Sequence, residues 1–181
     1  MKKGGVGGAN TNASGLPYEA KVAQEIRNTF LANGFQEVQA QKNPTKRQIF
    51  RNSNYEFQLL LHNAFYTEFI EELGINFKQK FSARLIPDIA LVDKANSRVK
   101  IIEIKNQTGS GSVVEKLQTC DYKQYYYSKL LNEFNYEVQV MWRLGKFFEE
   151  NSKSLASVYE YMILKNSPYF FSDIPITNLL K

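Results

Sequence analysis

The chain has 181 residues, of which 43% are hydrophobic and 23% charged, and this is the size and composition of one globular domain. A single cysteine excludes an internal disulfide, and with one histidine it also excludes a structural Cys/His zinc site. The formal net charge of +5 favours polyanionic partners such as nucleic acids without establishing one.

The N-terminus is basic at Lys2 and Lys3 but continues with glycine and asparagine, so it lacks the apolar segment of a signal peptide. No apolar run approaches the roughly 20 residues that a membrane-spanning helix needs. We therefore expect a soluble, cytoplasmic protein with no membrane partner. Half of the 10 glycines lie in the first 15 residues. This predicts a flexible glycine-rich arm over residues 1–15, followed by a single domain over residues 16–181.

The first predicted helix covers residues 17–33, because Pro17 suits a first helical position and Gly34 a C-terminal cap. Glu19 shares the inward face of this helix, which is costly for a carboxylate unless a cation meets it there. The apolar stripe of the same face is formed by Val22, Ile26 and Phe30.

Residues 43–54 are polar and basic, which predicts a connecting loop. The next apolar positions recur at helical spacing over residues 55–73 and end at Gly74, which predicts a second helix. His62 lies on that predicted helix without a Ser/His/Asp or Cys/His arrangement around it. We therefore expect His62 to be a surface or core-edge residue rather than a catalytic one.

The hydrophobic period then changes from 3.6 to 2, which is typical of strands. The predicted order from here is three strands, a long helix, a strand and a last helix. Their ranges are residues 75–81, 86–92 and 99–105 for the strands, 113–131 for the helix, 136–144 for the fourth strand and 155–164 for the last helix. The aromatic tail at residues 169–171 is expected to pack on the domain or on a partner.

The second and third of these strands form a hairpin with defined register. If Asp93 pairs with Arg98 around a four-residue loop, paired residue numbers sum to 191, and Asp88 falls opposite Glu103. Cross-strand neighbours on one face have Cβ atoms about 5 Å apart, so the two carboxylates can share one divalent cation. Side chains alternate along a strand, so Lys105 projects to the same side as Glu103.

Two carboxylates and an ammonium on one sheet face supply what phosphodiester hydrolysis requires. A Mg²⁺ held by Asp88 and Glu103, with the Ile104 carbonyl as a further ligand, would polarise the phosphate and acidify a bound water. Lys105 would orient that water or help to deprotonate it, and would stabilise charge in the transition state. The competing interpretation is an exposed salt bridge, which the same spacing often produces.

The hairpin resembles a known nuclease superfamily. Pro87-Asp88 followed by Glu103-Ile104-Lys105 is similar to the PD-(D/E)xK motif, and the order helix, three strands, helix, strand is similar to the core of that superfamily. The run over residues 107–116, in which Gln107 precedes a Gly-Ser turn, resembles the segment after the motif in type II restriction endonucleases. The resemblance covers roughly residues 15–144 and implies a restriction-endonuclease-like α/β fold with a central mixed sheet flanked by helices.

By this resemblance the catalytic residues are Asp88, Glu103 and Lys105. Glu19 matches the acid that members often carry on the first helix as a metal ligand. Gln107 is implied to support the site or to contact DNA. The implied activity is Mg²⁺-dependent cleavage of double-stranded DNA at a specific sequence, leaving 5′-phosphate and 3′-hydroxyl ends. We expect Mn²⁺ to substitute and Ca²⁺ to support binding only.

A chain with one such hairpin cuts one strand, so a duplex cut at a symmetric sequence predicts a homodimer of a restriction-modification enzyme. Basic residues near the hairpin and on the following helix are candidate phosphate contacts, unless they lie on a solvated face. These are Lys78, Lys80, Arg84, Lys116 and Lys123. Candidate readers of base edges are Arg47, Asn52 and Asn54. The alternatives are a structure-selective nuclease of the same fold, such as a Holliday-junction resolvase or a repair endonuclease, and a DNA-binding module without catalysis.

Overall fold

The structure is a computed structural model and describes residues 9–107 and 113–181. Its elements in chain order are α1 (Ala9–Ala32), β1 (Gln36–Val38), β2 (Arg47–Arg51), β3 (Glu56–Leu61), a π-helical turn (Phe65–Ile70), a 3₁₀ turn (Phe77–Gln79), β4 (Ile89–Asp93), β5 (Arg98–Lys105), α2 (Val113–Leu117), α3 (Cys120–Leu131), a 3₁₀ turn (Asn132–Phe134), β6 (Glu137–Leu144), α4 (Lys146–Glu150), α5 (Ala156–Leu164), β7 (Tyr169–Phe170) and α6 (Ile176–Leu180). Within these described ranges no helix is long and apolar enough to cross a membrane.

The seven strands form one sheet in the order of the sequence. Strands β1 to β5 pair antiparallel, whereas β5, β6 and β7 pair parallel. The parallel step from β5 to β6 needs a crossover, and α2 and α3 supply it. The predicted α/β class with a central mixed sheet flanked by helices is therefore confirmed.

Helices cover both faces of the sheet and create two apolar layers. One layer contains α1 and α6, and the other contains α3, α5 and the π-helical turn. Side chains alternate along β5, so Ile102 and Ile104 join the α1 layer whereas Val99 and Ile101 join the α3 layer. Both faces of the central strands are therefore buried.

Helix α1 buries the predicted stripe, since Val22, Ile26 and Phe30 are each at most 2% exposed. The helix begins at Ala9 rather than near Pro17, which lies inside it, so the predicted start was wrong. Part of the predicted arm is therefore helical, and residues 1–8 lie outside the described residues. Gly34 ends the helix as predicted, at a φ of +81° that glycine adopts without steric cost.

The segment between α1 and β4 differs most from the predictions. The predicted loop over residues 43–54 contains strand β2, and the first half of the helix predicted over residues 55–73 is strand β3. Strand β3 lies between β2 and β4 with Phe57, Leu59 and Leu60 all buried. A strand buried on both faces shows a continuous apolar run, which the helical period also fits. The strand predicted over residues 75–81 contains only a 3₁₀ turn.

The later elements follow the predictions more closely. Strands β5 and β6 and helix α5 are confirmed within one residue of their expected bounds, whereas β4 begins three residues late, at Ile89. The long helix predicted over residues 113–131 is two helices, separated where Thr119 Oγ1 donates to the carbonyl oxygen of Lys116. The tail packs on its own domain, because β7 pairs with β6 and Tyr169 stacks on Tyr159.

Candidate active site

The β4–β5 hairpin has the register that the sequence predicts. Asp93 pairs with Arg98, and the pairing continues to Ile89 opposite Ile102. One step beyond Ile89, the Asp88 carboxylate reaches across to β5, where its Oδ2 accepts a hydrogen bond from the Ile104 backbone nitrogen at 2.6 Å. The carboxylate is thereby fixed next to the strand that carries Glu103 and Lys105.

Lys105 is the centre of a cluster of oxygen atoms. Its Nζ lies 3.1 Å from Asp88 Oδ2, 3.3 Å from Glu103 Oε2 and 2.8 Å from the Ile104 carbonyl oxygen. The side chains of Asp88 and Lys105 are each 19% exposed, and that of Glu103 is 3% exposed. The predicted convergence of Asp88, Glu103 and Lys105 on one side of the hairpin is therefore present in the structure.

Helix α3 adds a second ammonium to this cluster. Lys123 Nζ lies 2.8 Å from Glu103 Oε1, so each oxygen of the buried Glu103 faces a different lysine. The sequence analysis placed Lys123 among the phosphate contacts, but its charge is engaged inside the protein. We call the four residues Asp88, Glu103, Lys105 and Lys123 the lysine cluster. It has two negative and two positive charges.

The pKa of Lys105 reflects this balance. Burial acts to lower it, but the Asp88 and Glu103 carboxylates outweigh burial and hold the pKa above the ordinary value for lysine. Lys105 is therefore a stable ammonium at neutral pH. This charge state suits charge stabilisation and orientation of a water.

A second cluster lies on the other side of Asp88. Glu19 of α1, His62 just after β3, and Asp88 each offer a ligand atom, and these atoms all lie within 4.8 Å of one another. Glu19 Oε2 is 3.4 Å from His62 Nε2. We call Glu19, His62 and Asp88 the histidine cluster. Glu19 and Lys123 come from helices on opposite faces of the sheet, so Asp88 lies where the two layers meet.

Burial raises the pKa of Glu19 above its ordinary value, and the neighbouring Asp88 raises it further, while His62 and Lys105 oppose both effects. The carboxylate therefore lies in a place where extra positive charge would stabilise it. Glu19 faces inward as expected, with its Oε2 inaccessible to solvent and 3.4 Å from His62 Nε2.

Backbone geometry aims His62 at this cluster. Its φ is +50°, a left-handed conformation that histidine adopts more readily than most residues. The His62 backbone nitrogen donates to the carbonyl oxygen of Asp88 at 3.2 Å, and its own carbonyl accepts from Phe65. His62 has the partly exposed, core-edge position expected of it, since its side chain is 38% exposed. Its predicted place on a helix was wrong, because the strand β3 was mistaken for a helix.

Three tyrosines hold the loop that leads into Asp88. The hydroxyls of Tyr66 and Tyr127 donate to the carbonyl oxygen of Leu85 at 2.9 and 3.1 Å, and the hydroxyl of Tyr126 accepts from the Leu85 nitrogen at 3.2 Å. The backbone three residues before Asp88 is thus anchored to α3 and the π-helical turn. Sequence analysis missed these residues because tyrosines at helical spacing are usually core.

The other basic residues near the site differ in solvent exposure and in whether their charge already has a partner in the protein. Lys78 and Lys116 are exposed, as phosphate contacts require. Arg84 is also exposed and stacks on the Phe77 ring, 4.5 Å from its centre. Lys80 instead donates to the Leu130 carbonyl at the end of α3 and pairs with Glu133. Its positive charge therefore stabilises the C-terminus of that helix.

The predicted base readers do not lie together. Arg47 lies 3.7 Å from Glu68, which is buried, and so has a structural partner. Asn52 accepts hydrogen bonds from the backbone nitrogens of Asn54 and Tyr55, forming a turn at the end of β3 opposite to His62. Strand β3 separates that turn from the site by roughly 20 Å.

The segment after Lys105 is described only as far as Gln107. Gln107 is partly buried, and in the described part of the chain its Nε2 has no hydrogen-bond partner. The Gly-Ser turn of the resemblance, residues 108–112, lies outside the described residues. Gly145 packs directly against Asn106, because a Cβ at Gly145 would lie 2.2 Å from Asn106 Oδ1.

The fold and these two clusters define the molecule as an α/β protein with a mixed seven-stranded sheet and a partly buried site rich in carboxylates. No family model, curated protein or solved structure matches the chain.

Proposed function

We propose that the chain is a Mg²⁺-dependent endonuclease that hydrolyses phosphodiester bonds of double-stranded DNA at a specific sequence, in the manner of a type II restriction enzyme. The observation that carries this proposal is the convergence of Asp88, Glu103 and the Ile104 carbonyl around the Lys105 ammonium. Each of these groups has a distinct task in phosphodiester hydrolysis, and the hairpin register places all of them on one side of the sheet.

The order of elements also supports this proposal. Helix α1 is followed by antiparallel strands that end in β3, β4 and β5, then by α3 and the parallel strand β6. This is the order expected for a PD-(D/E)xK core. The likeness concerns topology and motif alone.

The donor atoms fit Mg²⁺, which prefers carboxylate and carbonyl oxygens. Asp88 and Glu103 would hold the ion with the Ile104 carbonyl, and Glu19 would approach it from α1. When bound, Mg²⁺ supplies Lewis acidity and lowers the pKa of a coordinated water. We expect Mn²⁺ to substitute and Ca²⁺ to support DNA binding without cleavage.

The chain's own residues supply the remaining requirements. Lys105, held as an ammonium, stabilises negative charge that develops on the phosphate and orients the attacking water. Lys123 keeps one oxygen of Glu103 neutralised. The tyrosine hydroxyls on Leu85 fix the approach to Asp88, so the carboxylate keeps its position when the charge beside it changes.

Each chain carries one lysine cluster and so would cut one strand. Cleavage of both strands at a symmetric sequence then requires a two-fold homodimer. The tail aromatics were candidates for that interface, but Tyr169 and Phe171 are partly buried against Tyr159 of the same chain. The candidates Lys78, Arg84 and Lys116 are the exposed phosphate contacts in this proposal.

The proposal is tested by incubating the purified full chain with long DNA of mixed sequence and Mg²⁺. We expect discrete fragments with 5′-phosphate ends, and none with Glu103→Ala. Glu150→Ala, which removes only the exposed pair with Lys146, is the matched control and should cut like the parent.

Other outcomes of this assay would contradict the proposal. Cleavage confined to branched or damaged DNA would favour a structure-selective nuclease of the same fold. Tight DNA binding in Mg²⁺ without any cleavage would favour a DNA-binding module, and a continuous smear of products would contradict sequence specificity.

A further inference from the structure

The histidine cluster differs chemically from the lysine cluster because it contains a nitrogen ligand. Glu19, His62 and Asp88 come from three separate elements, yet their ligand atoms lie within 4.8 Å of one another. In a metal site with bonds of about 2.1 Å, neighbouring ligand atoms lie roughly 3 Å apart in octahedral geometry and about 3.4 Å apart in tetrahedral geometry. The 3.4 Å between Glu19 Oε2 and His62 Nε2 already lies in this range.

The carboxylate oxygens that this cluster offers have capacity left for a cation. Glu19 Oε2 is inaccessible to solvent and accepts no hydrogen bond from any residue that the structure describes. Asp88 receives its hydrogen bonds from Ile104 and Lys105 on Oδ2, within the described part of the chain. Its Oδ1 is therefore the oxygen that can turn toward Glu19 and His62.

The imidazole is anchored to the same structural unit as its carboxylate neighbour. The His62 backbone nitrogen donates to the Asp88 carbonyl, so the two side chains project from backbones that are directly hydrogen-bonded. The His62 side chain is 38% exposed and that of Glu19 is 21% exposed, so the cluster lies near the protein surface although Glu19 Oε2 itself is shielded from solvent.

We propose that Glu19, His62 and Asp88 bind one divalent ion of the Mn²⁺ to Zn²⁺ series in preference to Mg²⁺. Imidazole nitrogen favours transition metals, and affinity rises along the series from Mn²⁺ toward Co²⁺ and Ni²⁺. Mg²⁺ prefers oxygen ligands and gives up its water reluctantly, so a nitrogen ligand adds little for it. The inference rests on the proposed function in the metal-binding roles of Asp88 and Glu19, and the role of His62 is new.

This site gives His62 a role in metal selection. The lysine cluster offers only oxygens, which suit Mg²⁺, whereas the histidine cluster adds the nitrogen that discriminates between metals. Because the two clusters share Asp88, a transition metal at low concentration fills the histidine cluster before Mg²⁺ does. Cleavage would then reach half its maximal rate at a lower concentration of Co²⁺ or Mn²⁺ than of Mg²⁺.

The test uses the full chain without a polyhistidine tag, with CoCl₂ and MgCl₂ as the probes. Calorimetric titration should give a Co²⁺ affinity that falls roughly tenfold or more in His62→Gln, since one direct ligand is lost, while Mg²⁺ affinity changes less than about threefold. Because His62 is the only histidine of the chain, the Co²⁺-loaded parent should show a single strongly shifted imidazole N–H proton resonance.

Two controls separate metal binding from a simple ion pair between His62 and Glu19. Arg27→Gln removes an ion pair of similar exposure on the same helix, with Glu37, and should leave Co²⁺ affinity unchanged. His62→Asn retains a residue that tolerates the left-handed backbone, so it replaces His62→Gln if the glutamine variant is unstable. An unchanged Co²⁺ affinity in a folded variant, or a parent without the shifted resonance, would overturn the inference.

The outcome also distinguishes failure of the inference from failure of the proposed function. DNA cleavage in Mg²⁺ without the shifted His62 resonance in Co²⁺ would support the proposed nuclease function and contradict the transition-metal site. The shifted His62 resonance without cleavage in any metal would support the metal site and contradict the nuclease function.

Discussion

The two clusters that meet at Asp88 treat charge in opposite ways. In the lysine cluster, Glu103 and Asp88 face the ammonium groups of Lys105 and Lys123 at 2.8 to 3.3 Å, so the protein neutralises its own carboxylates. In the histidine cluster, Glu19 faces His62 at 3.4 Å with the Asp88 carboxylate nearby, and burial raises the pKa of Glu19. Asp88 therefore joins a side whose charges are already balanced to a side where a cation would stabilise the carboxylates.

Removing a carboxylate of the lysine cluster should have the largest effect. Asp88→Ala and Glu103→Ala each delete a metal ligand, so we expect single-turnover DNA cleavage to fall at least about a thousandfold, which corresponds to roughly 4 kcal/mol of transition-state stabilisation. DNA binding should persist or tighten without metal, because a negative charge beside the phosphate is gone. Cleavage by Glu103→Ala at a rate near that of the parent would show that the hairpin is not the active site.

Removing the ammonium should have a smaller and different effect. In Lys105→Ala, cleavage should fall about a hundredfold, because charge stabilisation and water orientation are lost while the ligands remain. Metal binding should be kept or tightened, since the ammonium no longer contacts Asp88 and Glu103. Cleavage rates and metal titrations on one preparation test both parts. Weaker metal binding in this variant would contradict the assignment of Lys105.

Binding to DNA should depend on the lysines outside the clusters, because those inside are already paired. Affinity for a duplex should fall with salt at a slope of about −0.9 per phosphate contact, and Lys78→Ala or Lys116→Ala should each reduce the slope by about that amount. Lys80→Ala is the matched control, since its ammonium binds the end of α3. Fluorescence anisotropy across salt concentrations measures these slopes, and a flat dependence would exclude a DNA-backbone partner.

The smallest expected effect is on the stability of the folded protein, through Glu19 of the histidine cluster. The pKa of Glu19 is higher in the folded state than in the unfolded state, so the folded state holds the proton more tightly. Ionisation of Glu19 therefore lowers the free energy of unfolding as the pH rises from about 4.5 through the folded pKa. Glu19→Gln should remove this loss and raise Tm in chelator at pH 7 by no more than about 2–4 °C, which is worth roughly 1 kcal/mol at this chain length.

The control for this effect is pH itself. At pH 4, below the unfolded pKa of about 4.5, the carboxylate is mostly protonated in both states, so the difference in Tm between Glu19→Gln and the parent should shrink. A lower Tm for the variant at pH 7 would show that the Glu19 pair with His62 already stabilises the protein without a metal ion.

The hairpin could be predicted from the sequence because its signals are local. Polar residues mark the turn between β4 and β5, alternation sets which side chains share a face, and the register that brings Asp88 to Glu103 follows from the turn. The geometry of Lys105 follows from the same alternation. Local pattern was therefore sufficient for the part of the site that lies on adjacent strands.

The rest of the site depends on contacts between distant segments. His62 belongs to the site because β3 is a central strand, but a strand buried on both faces carries no alternation to reveal it. Lys123 and Lys80 are basic residues like their exposed neighbours, and only packing shows that one faces Glu103 and the other the end of α3. Charge patterns identify the residue type but do not identify its partner.

The position of Trp142 makes the site optically observable. This single tryptophan is buried on β6 opposite Glu103, with Lys105 Nζ 5.7 Å and Lys123 Nζ 5.9 Å from its ring. Its indole nitrogen donates to Ser167, so the ring is held in one orientation. The energy of an excited indole responds to nearby charge. An ion that draws the ammonium groups away from the carboxylates therefore shifts the wavelength at which Trp142 emits. The protein carries its own fluorescent reporter of what occupies the space beside Glu103.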